Sequence, residues 1–255
     1  MLPPGTILQL MYLKERLRYV PPGRFVEIGV GQGHLSACLL ALGWHGTGFE
    51  LDPESSRAAL DLNRAAVAAG RYRVANVDWL ECAPDVSVDL LVSCMVLEHF
   101  DDDGEARYLE QCRRWLSDRG IGVLLVPGSP DDWGIEDDIA GHYRRYSRES
   151  LGARLNALGW RVQHMAGLTF PLSNALLPVS NALVRRAEGA RRTWSMADRT
   201  LASGKREVAG KTTFPAWAGL LLNDVAMYPL HLLQKLFRGA RRALVLYAEF
   251  VPASR

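Results

Sequence analysis

Residues Phe25-Val26-Glu27-Ile28-Gly29-Val30-Gly31-Gln32-Gly33 constrain the fold of this chain more than any other stretch. A short apolar run with the character of a strand enters a turn with glycine at alternate positions, and helix-like sequence follows. Glycines at that spacing let the backbone turn sharply and approach a ligand with no Cβ in the way. The helix after the turn presents free backbone N–H groups to the same ligand. Two details separate the motif from a dinucleotide fingerprint. His34 stands where that fingerprint places its third glycine, and an acid, Glu27, lies in the strand just before the turn. Such an acid suits a nucleoside ligand carrying a cation better than it suits a pyrophosphate.

Strand and helix signals alternate around this motif. Helical spacing of Ile7, Leu10, Met11 and Leu17 precedes the first strand at 24–28. Further strands are predicted at 46–51, 73–77, 88–95, 121–126 and 160–165. Helices are predicted at 35–42, from Pro53 to about 69, at 105–116, and from a Ser147 cap to 158. The last strand-like segment, 243–251, closes the chain. The alternation predicts an α/β fold, a Rossmann-like sheet with helices on both faces. The length of 255 residues suits one enlarged domain or a domain with a substantial insertion.

Cys38, Cys82, Cys94 and Cys112 are scattered with no C-x-x-C spacing. They read as small buried residues of a reducing compartment, not as a zinc site or disulfide framework, and no metal is assigned. The N-terminus lacks a charged region followed by an apolar core, and no run of about 18 apolar residues occurs. The expected location is the cytoplasm. Charge is unevenly spread: residues 1–184 carry 17 Lys/Arg against 23 Asp/Glu, whereas 185–242 carry 12 against 4. That asymmetry suggests an anionic contact for the C-terminal part. The polar stretch 202–213 reads as a mobile loop.

Glu50 ends the second predicted strand, 23 residues after Glu27. An acid there can accept hydrogen bonds from both ribose hydroxyls of a nucleoside; the plainer reading is a solvated acid at a strand end. Glu27, Gly29, Gly31 and Gly33 together match acid-x-G-x-G-x-G, and in this the chain resembles the class I S-adenosylmethionine (SAM)-dependent methyltransferases. The resemblance covers roughly 24–165 and the final strand. It implies SAM as cofactor and a seven-stranded sheet whose last strand is antiparallel. It assigns the ribose to Glu50, with Leu51 beside it, and the adenine amine to Asp78. Trp79 then lines the adenine pocket, or else packs in the core.

Residues Val92-Ser93-Cys94-Met95-Val96-Leu97-Glu98-His99-Phe100 resemble the segment after strand four in ubiquinone-biosynthesis methyltransferases. On that likeness Ser93 and Met95 flank the methionine moiety, and His99 is a general base or a pocket-wall residue. The Pro-Pro-aromatic pattern of nucleic-acid amino-methyltransferases is missing here, which argues against a nucleic-acid acceptor. The run Gly141-His142-Tyr143-Arg144-Arg145-Tyr146 is familiar from bacterial methyltransferases of this type. His142 is a second catalytic candidate, and Tyr143, Arg144 and Tyr146 are substrate-facing candidates. Arg144 and Arg145 either bind an anionic substrate or pair with nearby acids.

With 243–251 as the seventh strand, the chain divides into a SAM-binding core at 1–167, a basic helical insertion at 168–242 and a closing strand at 243–255. The insertion joins apolar stretches to arginine clusters. Such helices can lie on an anionic membrane surface at its inner face, form a lid over a hydrophobic substrate, make a dimer interface, or simply enlarge the core. The expected function is methyl transfer to an oxygen or nitrogen of a small, amphipathic or lipid-linked acceptor. Two other classes fit parts of the pattern: a nicotinamide-dependent oxidoreductase of related fold, and a SAM-binding, membrane-associated partner without turnover.

Overall fold

The computed structural model describes residues 1–189, 193–195, 199 and 208–253. Seven strands form one sheet: β1 (Arg24–Ile28), β2 (His45–Phe49), β3 (Tyr72–Ala75), β4 (Val88–Cys94), β5 (Leu116–Pro127), β6 (Trp160–Leu168) and β7 (Val245–Pro252). Their spatial order is β3-β2-β1-β4-β5-β7-β6. All neighbouring pairs from β3 to β5 are parallel, and β7 runs antiparallel to both β5 and β6. This is the expected Rossmann-like sheet, with β7 inserted between β5 and β6. Strand order reverses between β1 and β4, and in open α/β sheets that switch point opens a crevice beyond the carboxyl ends of the strands.

The central strands are apolar on both faces because helices cover both. In β1, Val26 and Ile28 join one core cluster and Phe25 the other, as a two-residue period requires. One face is packed by α5 (Asp102–Trp115) and by α7 (Arg148–Ala157), following α6 (Ile135–Ala140). Tyr108, Leu109, Cys112, Trp115, Leu151 and Leu155 fill that side. The other face is packed by α1 (Pro4–Leu17) and α2 (His34–Ala41) through Tyr12, Leu13, Leu17, Leu35 and Leu39. No side chain caps α1 and its first turn holds no acid. Five buried residues, Ile7, Leu8, Tyr12, Leu13 and Leu17, hold it instead. At about 1.5–3 kcal/mol for a fully buried large apolar side chain, this outweighs the ~1 kcal/mol of a cap.

The helix expected from Pro53 to about 69 is two helices, α3 (Pro53–Leu62) and α4 (Arg64–Ala68). Asn63 breaks it: its side-chain amide donates to the Ala59 and Gly33 carbonyls, tying the break to the glycine turn. Strand β6 runs longer than expected because its end pairs with β7, and β5 starts earlier than expected, where Leu116 pairs with Val88 of β4.

Between β6 and β7 lie α8 (Leu172–Glu188) and α9 (Asp224–Leu236). Helix α9 packs against α1, with Met227 on Ile7 and Leu8. Gln234 donates to the Leu8 carbonyl, and Glu15 pairs with His231 and Lys235. Arg16 of α1 makes a two-pronged ion pair with Glu249 of β7, at 2.7 and 2.8 Å. Of the loop expected at 202–213, residues 202–207 lie outside the described residues. Among those described, no helix is long and apolar enough to cross a membrane.

Candidate active site

The carboxyl ends of β1 to β5 open into a cavity of about 1380 Å³. It exceeds the roughly 300–1,000 Å³ of an ordinary small-molecule site. One end is built on the glycine turn. Gly29, Gly31 and Gly33 all have positive φ, at 70°, 54° and 83°. Gly29 and Gly31 line the cavity, and a Cβ on Gly31 would meet nothing within 4 Å. Gly33 does not line it. It packs against α3, where a Cβ would come within 2.8 Å of the Ala59 Cα.

Glu50 lies across from the turn. One carboxylate oxygen accepts from the Gly31 N–H at 2.7 Å and the other from the Asp52 N–H at 3.0 Å. Each oxygen keeps lone-pair capacity for a further donor. Leu51, Asp78 and Trp79 also border the cavity. One Asp78 oxygen caps a short 3-10 turn (Trp79–Glu81) by accepting from the Leu80 N–H, which leaves the other for a ligand. Trp79 is buried against Tyr108 and Trp115, so it meets the cavity as part of the core wall.

Glu27 is buried beneath the turn and accepts a hydrogen bond from the Ser36 hydroxyl, which also contacts the Tyr72 hydroxyl at 2.8 Å. Burial, offset in part by Ser36, pushes its carboxyl up to about 8. The unfolded chain ionises near the ordinary value of 4.5 while the folded one keeps its proton. The contribution of Glu27 to the stability of the ligand-free protein therefore falls as pH rises from about 4.5 to about 8 and levels off above that. The Glu27→Gln variant is expected to flatten this slope by about one proton, so that its stability relative to the parent improves from pH 5 to pH 8. Urea unfolding at three pH values checks it; an unchanged slope would remove Glu27 as its source.

The opposite end of the cavity is polar and fixed by the Gly141–Tyr146 run. The Tyr143 N–H donates to the Glu98 carbonyl and the Tyr146 N–H to the Pro127 carbonyl, both at 2.8 Å. His142 and Tyr143 line the cavity. The His142 Nδ1 meets Asp137 at 2.8 Å, and Asp137 also accepts from Arg145 Nε and the Gly134 N–H. His99 packs edge-on against His142, with ring centroids 4.9 Å apart. Burial, reinforced by His142, pushes His99 down to about 3, so the ring is neutral. Glu98 is fully buried beside them, and burial pushes its carboxyl up to about 8.

Besides Gly33, three expected site residues do not reach the cavity. Ser93 lies beneath the β4 end, accepting from the buried Tyr108 hydroxyl at 2.7 Å. Arg144 bridges Asp102 and Glu105 at 2.5 and 3.0 Å, so the pairing alternative holds for it. Tyr146 is buried with its hydroxyl near the Leu97 carbonyl and Glu105. The sequence reading missed Asp137, whose partner His142 is only five residues on; an acid near a histidine is too common a pair to signal this. Met95 lines the cavity in a left-handed conformation, φ 56°, held by its N–H donating to the Leu125 carbonyl at 2.8 Å. Ser129 and Thr169, at the ends of β5 and β6, share that conformation. Backbone strain of this kind gathers at functional sites.

A methyltransferase domain family model matches residues 8–165. A probable S-adenosylmethionine-dependent methyltransferase of Mycobacterium tuberculosis is 38% identical over 74 residues, covering 27% of this chain and 26% of the relative. The chain thus spans about a quarter of the length of the curated relatives it matches. Among solved structures, a SAM-dependent methyltransferase from Geobacter sulfurreducens in complex with S-adenosyl-L-homocysteine (SAH) superposes with TM-score 0.59 at 17% identity. That match covers 99% of this chain and 93% of the other. A counterpart from Thiobacillus denitrificans, also with SAH, gives 0.58 at 17%, covering 99% and 94%. These two likenesses establish the fold.

Proposed function

The chain belongs to the methyltransferase domain family, of the class I, SAM-dependent kind, and from that premise we propose that it transfers a methyl group from SAM to a small amphipathic or lipid-linked acceptor. The carrying observation is that Glu27, the open face of Gly31, Glu50 and Asp78 meet in one cavity. The residues fit SAM. The glycine turn leaves room beside Gly31, Glu50 has lone pairs to spare for a ribose diol, and Asp78 keeps one oxygen for the adenine amine. Glu27, held by Ser36, faces the cationic end. When bound, SAM supplies an electrophilic methyl group on its sulfonium.

The protein's own work is then alignment and exclusion of water. Met95 and Val96 wall the cavity at the β4 end, and the His99–His142 corner meets the nucleophilic atom of the acceptor. Asp137 fixes the His142 ring. The likeness to ubiquinone-biosynthesis enzymes at Leu97-Glu98-His99 stays a resemblance, since the family match is to the methyltransferase domain as a whole.

An apolar annex supports the lipid-like acceptor. Leu10 of α1, Leu176, Leu177 and Leu183 of α8, and Phe214 line it. Nearby in the chain, Trp217, Leu220, Leu221, Val225 and Leu236 are exposed, with Arg238 and Arg241 following. An apolar surface edged by arginines suits an anionic lipid interface, and the proposal places 168–242 there as the acceptor's entry.

The test incubates the protein with methyl-labelled SAM and extract of cells lacking it, then separates lipid, aqueous small-molecule and macromolecular fractions. Label is expected in the lipid fraction. Label in aqueous small molecules would keep methyl transfer and remove the lipid-linked acceptor. No label in any fraction, with SAM binding intact, would overturn the enzyme reading.

A further inference from the structure

We propose that Glu98, His99 and His142 form a binding site for one divalent first-row transition cation. Each side chain offers one donor atom, and the three atoms lie within 4.8 Å of one another. Among the described residues, neither carboxylate oxygen of Glu98 has a hydrogen-bond partner on another residue although Glu98 is 0% exposed, and His99 Nδ1 is likewise buried and unpartnered. His142 Nε2 lies 3.8 Å from a Glu98 oxygen. Buried polar atoms are nearly always paired, so three orphans in one small cluster mark a place shaped for something else.

The surroundings are those of a metal centre. The His142 Nδ1 is held by Asp137, itself held by Arg145 Nε and the Gly134 N–H, each at 2.8 Å. A carboxylate behind a histidine fixes its ring and tautomer so that the other nitrogen faces the metal. Two imidazoles and one carboxylate suit Zn²⁺, Fe²⁺, Co²⁺, Ni²⁺ or Mn²⁺ better than the all-oxygen cations Mg²⁺ and Ca²⁺. His99 and His142 border the cavity, which leaves positions on the cation open toward it. There it would hold and acidify an acceptor hydroxyl, whose proton passes to water. That role, though not the site, rests on the methyl-transfer reading.

The experiment titrates chelator-stripped, full-length protein with Co²⁺, read by its visible d–d absorption, and then displaces it with Zn²⁺. One equivalent is expected to bind, with a dissociation constant in the micromolar range or tighter. The Glu98→Gln and His142→Gln variants should each weaken binding by at least about tenfold while SAH affinity and the melting temperature stay near the parent's. An exposed-site control, His45→Gln, should bind as the parent does. Absence of stoichiometric Co²⁺ binding by parent protein that binds SAH would overturn the site, as would binding unmoved by both cluster variants. Cation binding intact with no transfer of label would fault the methyl-transfer reading alone.

Discussion

The Glu50→Ala variant is expected to bind SAH about 100-fold more weakly than the parent protein. Glu50 follows directly after β2, facing the glycine turn, and each oxygen already accepts one backbone N–H, from Gly31 and from Asp52. A ribose diol adds one hydroxyl donor to each oxygen. Hydrogen bonds to a charged group contribute about 1.5–3 kcal/mol each, so losing two costs at least ~3 kcal/mol, or two decades of affinity. The variant also frees the Gly31 N–H, loosening the turn that faces the ligand. Global stability should change by less than about 1 kcal/mol, because Glu50 is only partly buried and the strand end is separately fixed by Asn76 donating to the Glu50 carbonyl at 2.7 Å. Glu50→Gln keeps an acceptor oxygen and should lose less. Calorimetric titration with SAH decides the matter: an unchanged dissociation constant would remove Glu50 from the ligand site.

Substituting Gly33 with alanine should lower stability by about 3 kcal/mol or more, whereas Gly31→Ala should lower it by only about 1–2 kcal/mol and weaken SAH binding. Both glycines have positive φ, which costs an alanine roughly 1–2 kcal/mol. The difference lies in what the new Cβ meets. At Gly33 it comes to 2.8 Å from the Ala59 Cα and from Asn63 Nδ2, in the tight α2–α3 contact; a backbone atom cannot swing aside, and overpacking adds about 1–3 kcal/mol. At Gly31 it points into open cavity. For a chain of this size the Gly33 effect corresponds to a fall of roughly 10 °C in melting temperature. Thermal melts and SAH titrations of the two variants test the contrast. Equal melting temperatures would mean that the α2–α3 contact yields easily and that Gly33 has no special packing role.

The sequence by itself determined the sheet, because its signals are local. Apolar runs of strand length, a Pro53 helix start, the Ser147 cap and the alternating glycines each follow from the covalent chemistry of a few neighbouring residues. The acids at strand ends, Glu50 and Asp78, were legible for the same reason: strand ends can be counted along the chain. Their place on one cavity then follows from parallel pairing of β1, β2 and β3.

Tertiary structure alone decided which polar residues beyond the strands face the cavity. Spacing treats Gly31 and Gly33 alike, yet one is bare toward the cavity and the other is packed on α3. Likewise the Gly141–Tyr146 run offers five polar or aromatic side chains with no periodicity to sort them. Arg144 and Tyr146 turn to Asp102, Glu105 and Leu97, some forty residues away, while His142 turns to Glu98 and Asp137. Those choices rest on pairing polar and charged groups, most of them across segments distant in the chain. An unpaired buried charge costs more than any local preference of a loop can repay, so the identity of each partner is settled only when the segments meet.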